Sequence, residues 1–247
     1  MNTQESTEMD AASILELLSA GELEVQGMLP WSSNYTLLTT VQHKDMQGLG
    51  VYKPRRGERP LWDFPRGTLC QRETATYILS EMLGWLLVPP TVLRDGPYGI
   101  GSVQLFIDAN HEEHLFTMQQ EGGFEFQIER LSAFDFLANN ADRKSGHCLK
   151  GSDGRLWAID HGLCFHTEYK LRTVLWDFAG QHFRPDILKD LSSLHERMHD
   201  NDPAFEIFDQ LLSHSEVHAL RRRIDTLVQT GKHPEPGSSH CVPWPPV

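Results

Sequence analysis

The hydrophobic pattern changes period near the middle of the chain, and no other feature restricts the fold as strongly. Before residue 108 the apolar residues sit in short runs separated by turn-forming residues. Leu23 and Val25 alternate, residues 35–41 are β-branched and apolar, and residues 48–52 lead into Lys53, so three antiparallel strands are expected between 22 and 54. Two more, at 88–93 and 102–107, complete one sheet of five, with residues 94–101 as the turn between them. Ala11, Ile14, Leu15, Leu17 and Leu18 predict a short amphipathic helix stopped by Gly21, and residues 68–83 predict the helix that crosses this half. Beyond residue 123 the spacing turns helical, over 126–138, 186–198, 203–212 and 215–228, broken by a short hairpin at 147–149 and 155–159. A β-rich half followed by a helical half reads as an α+β chain of two lobes with a cleft between them.

Three segments follow. Residues 1–108 form the N-terminal helix and β-rich lobe, 109–231 the helical lobe, and the Pro-rich 232–247 a tail lying on or off the surface. Residues 108–123 make an acidic, flexible joint. Residues 54–67, with their prolines, glycines and four arginines, make a loop with a basic side. Most of the aromatic side chains, Trp62, Phe64, Phe134 and Trp157 among them, are expected in the core.

Size and charge then narrow the function. A chain of 247 residues holds one large domain or two small lobes, not a solenoid plus an enzyme. With 22 Lys and Arg against 34 Asp and Glu, an extended surface for nucleic acid or anionic lipid is excluded, and an anionic ligand must be met by local basic groups. Cys70, Cys148, Cys164 and Cys241 are too scattered for a disulfide framework or a CxxC metal knuckle and suit a reducing, cytoplasmic compartment. The start is polar and acidic, so neither a signal peptide nor a transmembrane segment is expected.

The chemistry gathers in two places. Polar residues from Asn139 to His147 follow an apolar helix, and Asp160 ends the apolar run Leu156–Ile159, where a strand can hold a carboxylate rigidly. Asp142 and Asp160 can converge across the hairpin, one taking a proton and the other holding a divalent cation against phosphate oxygens, although both are also suitable turn or helix caps. In the first half, Lys53 is placed to neutralise phosphate, with Glu73 fixing it from the helix; an exposed lysine and a solvated glutamate fit the same spacing. Ser32 and Ser33, between the first two strands, can cradle phosphate oxygens or merely make a hairpin turn. His147 with Asp142, Asp160 and His161 keeps a hydrolytic metal site open, with no tight His pair among them to support it.

In order, Lys53, Glu73, Asp142 and Asp160 resemble the phosphatidylinositol 3-/4-kinase-like branch of the protein-kinase-like superfamily, and most closely its short bacterial members. The segments GMLPWSSNYT, VYKPRRGERPLWDFPRGTL, LGWLLVPPTVLRDGPYGIGSVQLFI, NNADRKSGH and WAIDHGLCFH carry the resemblance, which spans residues 22–230. It implies a bilobal protein-kinase-like fold of the atypical PI3/PI4-kinase type that binds ATP and Mg²⁺. It also implies that Lys53 contacts phosphate, that Glu73 is the helix glutamate, that Asp142 with Arg143 forms the catalytic loop, and that Asp160 binds metal. Where the family has a metal-holding asparagine this chain has His147, so Mn²⁺ becomes an alternative to Mg²⁺, and Asn140 a second candidate ligand. The expected reaction moves the γ-phosphoryl group to an unidentified small-molecule, lipid or protein hydroxyl. Adenylyl transfer from ATP, and a nucleotide-binding module without turnover, are the alternatives.

Overall fold

The computed structural model describes residues 10–30, 34–110, 112–200, 202–237 and 240–247. They form two compact units: residues up to 59 together with 90–106, and residues 60–89 together with 107–247. The first is rich in β-structure and the second is helical, so the α+β expectation holds.

In the first unit, α1 (Ala11–Ala20) lies on a five-stranded antiparallel sheet of β1 (Glu22–Met28), β2 (Leu37–His43), β3 (Met46–Pro54), β4 (Thr91–Gly96) and β5 (Gly99–Leu105), in the order β1-β2-β3-β5-β4. Asp10 caps α1 through the Ser13 N–H, and the fully buried Leu17 and Leu18 pack against Leu23, Leu37, Val41, Tyr52 and Val103. Because side chains alternate across a strand, Lys53 faces away from α1 once Tyr52 faces toward it. Register sets Lys53 opposite Ser102, with Gly101 beside them facing Pro54. A Cβ at Gly101 would stand 2.5 Å from the Lys53 carbonyl, so only glycine allows the two strands to approach this closely. Residues 94–101, expected as a turn, are mostly strand, and the reversal is confined to Pro97 and Tyr98.

The second unit contains α2 (Leu69–Met82), α3 (Leu115–Glu121), α4 (Glu125–Ala138), a two-stranded hairpin of β6 (Cys148–Lys150) and β7 (Leu156–Ala158), then α5 (Pro185–His199), α6 (Glu206–Leu211) and α7 (His214–Thr230). α2 and α4 are buried on almost every side, whereas α5 and α7 each bury one stripe: Ile187, Leu191, Leu194 and Met198 in α5, and Val217, Leu220, Ile224 and Leu227 in α7. Inside, Arg72 of α2 pairs with Glu216 of α7 and donates to the Cys164 carbonyl at 2.6 Å. Burial alone would raise Glu216, but Arg72 and the Ser213 bonds of its capping box hold it below its ordinary value.

Three local expectations change. The joint at 108–123 contains α3, a helix whose only buried side chains are Leu115 and Met118, too few to register as a helical period. Trp62 is exposed, although the other aromatics named with it are buried. The tail is irregular but fastened: the Cys241 carbonyl accepts from the Thr173 N–H at 2.9 Å and the Trp176 indole at 3.0 Å, and the Pro246 carbonyl accepts from the Ser145 N–H at 2.8 Å. Among the described residues no helix is long and apolar enough to cross a membrane.

Candidate functional site

The polar segment after α4 is shaped by two asparagines. Asn139 ends the helix at φ 52°, a left-handed conformation that asparagine tolerates, and its amide bonds the His166 and Glu168 carbonyls and the Lys170 N–H. Asn140 is fully buried: its Nδ2 donates to Asp135 Oδ1 at 3.0 Å and its Oδ1 accepts from the Asp142 N–H at 3.0 Å. Both ends of that amide therefore hold the turn that carries Asp142.

Arg143 points inward. Its Nε and Nη2 donate to both oxygens of Asp135 at 3.0–3.2 Å, and neither side chain has any exposure. Burial opposes the charge, yet the Asp135 carboxylate raises Arg143 above its ordinary value, so the ion pair persists. The remaining donors reach the carbonyls of His147 at 3.2 Å and Ile159 at 3.0 Å, and His161 Nε2 at 2.6 Å. Because a guanidinium only donates, His161 must accept on Nε2 and carry its proton on Nδ1. The thiols of Cys148 and Cys164 lie beside this network, and burial pushes Cys148 up to about 12 and Cys164 higher still, so both remain neutral.

The open side of the same loop holds Asp142, His147 and Asp160. Burial lifts Asp142 above the ordinary carboxylate value; Lys144, 3.2 Å from its Oδ2, pulls the other way, and the charge of Asp160 adds to the rise. His147 Nδ1 lies 2.9 Å from the Asp142 carbonyl oxygen, which can only accept, so the ring proton sits on Nδ1 and Nε2 is turned toward Asp160 Oδ2, 3.4 Å away. Asp160 reaches this position at φ 61°, a left-handed backbone that costs a non-glycine residue about 1 kcal/mol or more and is concentrated at functional positions. Its neighbours are tied on both sides: Ile159 N–H donates to the His147 carbonyl at 2.9 Å, and His161 N–H donates to Glu73 Oε2 of α2 at 3.0 Å.

The structure thus brings Glu73, Asn140, Asp142, Arg143, His147 and Asp160 into one unit, with Asn140 and Arg143 on its closed side. Lys53 is carried by the first unit, and Ser32 and Ser33 lie outside the described residues. The first unit also has a cavity of about 420 Å³ lined by Met28, Tyr35, Leu37, Pro54, Arg56, Gly57 and Tyr98, none of them a residue singled out from the sequence. Sequence reasoning missed Asp135, the buried anion on which Arg143 depends. Its signal was available in a carboxylate set between Phe134 and Phe136 in an apolar helix, where only a paired charge is tolerated.

No family model matches the chain. Protein Rv2133c of Mycobacterium tuberculosis is 38% identical over 264 residues, covering 93% of this chain and 94% of that one. Among solved structures, hydra Fam20 with sugar aligns over 92% of this chain and 89% of its own, with a TM-score of 0.55 and 13% identity. The Helicobacter pylori proinflammatory kinase CtkA aligns over 85% and 92%, with a TM-score of 0.49 and 16% identity. At 13% identity the likeness to Fam20 is one of fold, and the fold is that of atypical protein-kinase-like proteins, β-rich at the N-terminus and helical at the C-terminus.

Proposed function

We propose that this chain, which belongs to the family of Mycobacterium tuberculosis protein Rv2133c, is a PI3/PI4-kinase-like phosphotransferase that moves the γ-phosphoryl group of ATP to a hydroxyl acceptor. The observation that carries the reading is the open half of the loop: a carboxylate raised by burial, Asp142, beside an imidazole and a second carboxylate that face each other at 3.4 Å. The kinase-like fold makes phosphoryl transfer the chemistry to test first.

The donor set suits a cation. Asp160 Oδ2 and His147 Nε2 would hold it, and a mixed oxygen and nitrogen pair favours Mn²⁺ over Mg²⁺ compared with an all-oxygen site. Such an ion neutralises phosphate charge when bound. The remaining work belongs to the chain. Asp142 orients the acceptor hydroxyl and takes its proton as the hydroxyl oxygen bonds to the γ-phosphorus and the bond to ADP breaks, and its raised pKa makes it a stronger base than an exposed aspartate. Arg143 acts as a positioning residue through the His147 and Ile159 carbonyls, and Glu73 holds the backbone that follows Asp160. Lys53, on the sheet face away from α1, and the hydroxyls of Ser32 and Ser33 serve the phosphates. The acceptor class, whether small molecule, lipid or protein, is left to experiment. The four scattered cysteines suit a cytoplasmic setting.

The test offers the protein ATP labelled on either the α- or the γ-phosphate, with Mg²⁺ or Mn²⁺, against a panel of acceptors and itself, with products read by mass spectrometry. A γ-phosphate adduct that is lost in Asp160→Ala together with metal-dependent ATP binding supports the reading, and His147→Asn should shift the preference from Mn²⁺ toward Mg²⁺. An AMP adduct would replace it with adenylyl transfer, and ATP binding without either adduct would leave a nucleotide-binding module. Unchanged ATP binding in Asp160→Ala sinks the metal assignment.

A further inference from the structure

A second group of metal-ligating side chains lies on α5 and α7, helices that carry none of the candidate site residues described above. His195 and His199 are four apart on α5, so both imidazoles project from one side of the helix, with ring centroids 4.4 Å apart. Asp225 of α7 faces them, and its Oδ1 lies 3.0 Å from Nε2 of His195 and 3.0 Å from Nε2 of His199. Each residue offers one donor atom, and the three atoms lie within 4.8 Å of one another.

We propose that His195, His199 and Asp225 form a binding site for a divalent transition-metal ion of the zinc class that fastens α5 to α7. Two imidazole nitrogens and one carboxylate oxygen are the donor chemistry of Zn²⁺ and its transition-metal neighbours, not of Mg²⁺ or Ca²⁺, which require oxygen. Ligand bonds of about 2.0–2.1 Å at tetrahedral angles place donor atoms about 3.3 Å apart, so the two 3.0 Å separations need open by only a few tenths of an ångström. The scaffold is prepared for it, because the buried stripes of α5 and α7 set both helix backbones independently of any ion. The side chains remain 29%, 55% and 32% exposed for His195, His199 and Asp225, which leaves a path for the ion and room for water to complete its coordination. Without an ion, the two Nε2–H groups donate to the shared oxygen. With one, a neutral ring carries its proton on Nδ1 and presents the Nε2 lone pair. The same oxygen that collects two hydrogen bonds thus becomes a metal ligand.

The site predicts a thermodynamic signature that does not depend on catalysis. Metal-stripped full-length protein titrated with ZnCl₂ in a calorimeter should bind one equivalent at this site, and Tm should rise by about 5–10 °C when free Zn²⁺ exceeds Kd about 100-fold. MgCl₂ at the same concentration should do neither. In His195→Gln/His199→Gln, which keeps side chains able to hydrogen-bond Asp225, that equivalent and the Tm shift should both disappear; Asp225→Asn serves as an independent variant if the double substitution fails to fold. Co²⁺ bound in place of Zn²⁺ should show no strong thiolate charge-transfer band. Zinc affinity and stabilisation that survive in these variants, a thiolate band, or no zinc binding by the wild-type chain would each overturn the proposal.

Discussion

The loop after α4 has a closed half and an open half, built from the same kinds of residue. In the closed half Asp135, Arg143 and His161 are buried, every charge is paired, and the network binds the backbone on both sides of the β6–β7 hairpin. In the open half Asp142, His147 and Asp160 hold a raised carboxylate and an imidazole that faces a second carboxylate. The same kinds of residue become scaffold where they are dry and matched, and a candidate for ligand binding where they are half-wet and carry a raised carboxylate. Arg143, adjacent to Asp142 in sequence, belongs to the first half and acts on the second only through the backbone it holds.

Removing Arg143 is the hardest blow to that division. Arg143→Ala leaves Asp135 as a buried unpaired carboxylate and should cost about 3–5 kcal/mol in urea denaturation. A loss below about 1 kcal/mol would mean that the closed half is not scaffold. The open half should answer in the opposite manner. Asp142→Asn should lower phosphoryl transfer about 10²–10⁴-fold while stability changes by no more than about 0.5 kcal/mol. A large stability loss in that variant would erase the distinction between the halves.

The pH dependence sharpens the same point. Because burial raises Asp142 above 3.8, the folded chain holds its proton to higher pH than the unfolded chain does. Stability should therefore fall as pH climbs through the window above 3.8 and level off beyond the folded value, while transfer rises over the same window as the base is released. Asp142→Asn should abolish its share of both slopes, and a rate that falls with pH there would remove Asp142 as the base. The smallest effect concerns the tail. Deleting residues 241–247 strips acceptors from the buried Ser145 and Thr173 N–H groups and should cost about 1–3 kcal/mol. Faster hydrogen exchange at the Ser145 amide is the direct readout, and unchanged exchange would show that the tail does not brace the loop.

Much of this arrangement was legible from the order of residues. Periodicity placed α1, the five strands, α2, the hairpin and the long helices, because each buries a face whose repeat is local in the chain. It did not find α3, which buries too little. Spacing and resemblance singled out Glu73, Asp142, His147 and Asp160, and the fold collects all of them in the helical unit. The sequence marks Asp135 as a carboxylate that needs a partner, but only burial assigns that partner to be Arg143. His195 and His199 were legible, since residues 195–199 read HERMH with the histidine spacing of a helical metal site, and only Asp225, which arrives from another helix, required the fold.

Which stretches would become strand or helix was settled by the chain alone, because backbone geometry converts spacing directly into an apolar face. Which charges would be walled in, which would stay wet, and which would meet across helices was settled only once the chain had packed, because the cost of a charge depends on the water and the partners that packing leaves around it.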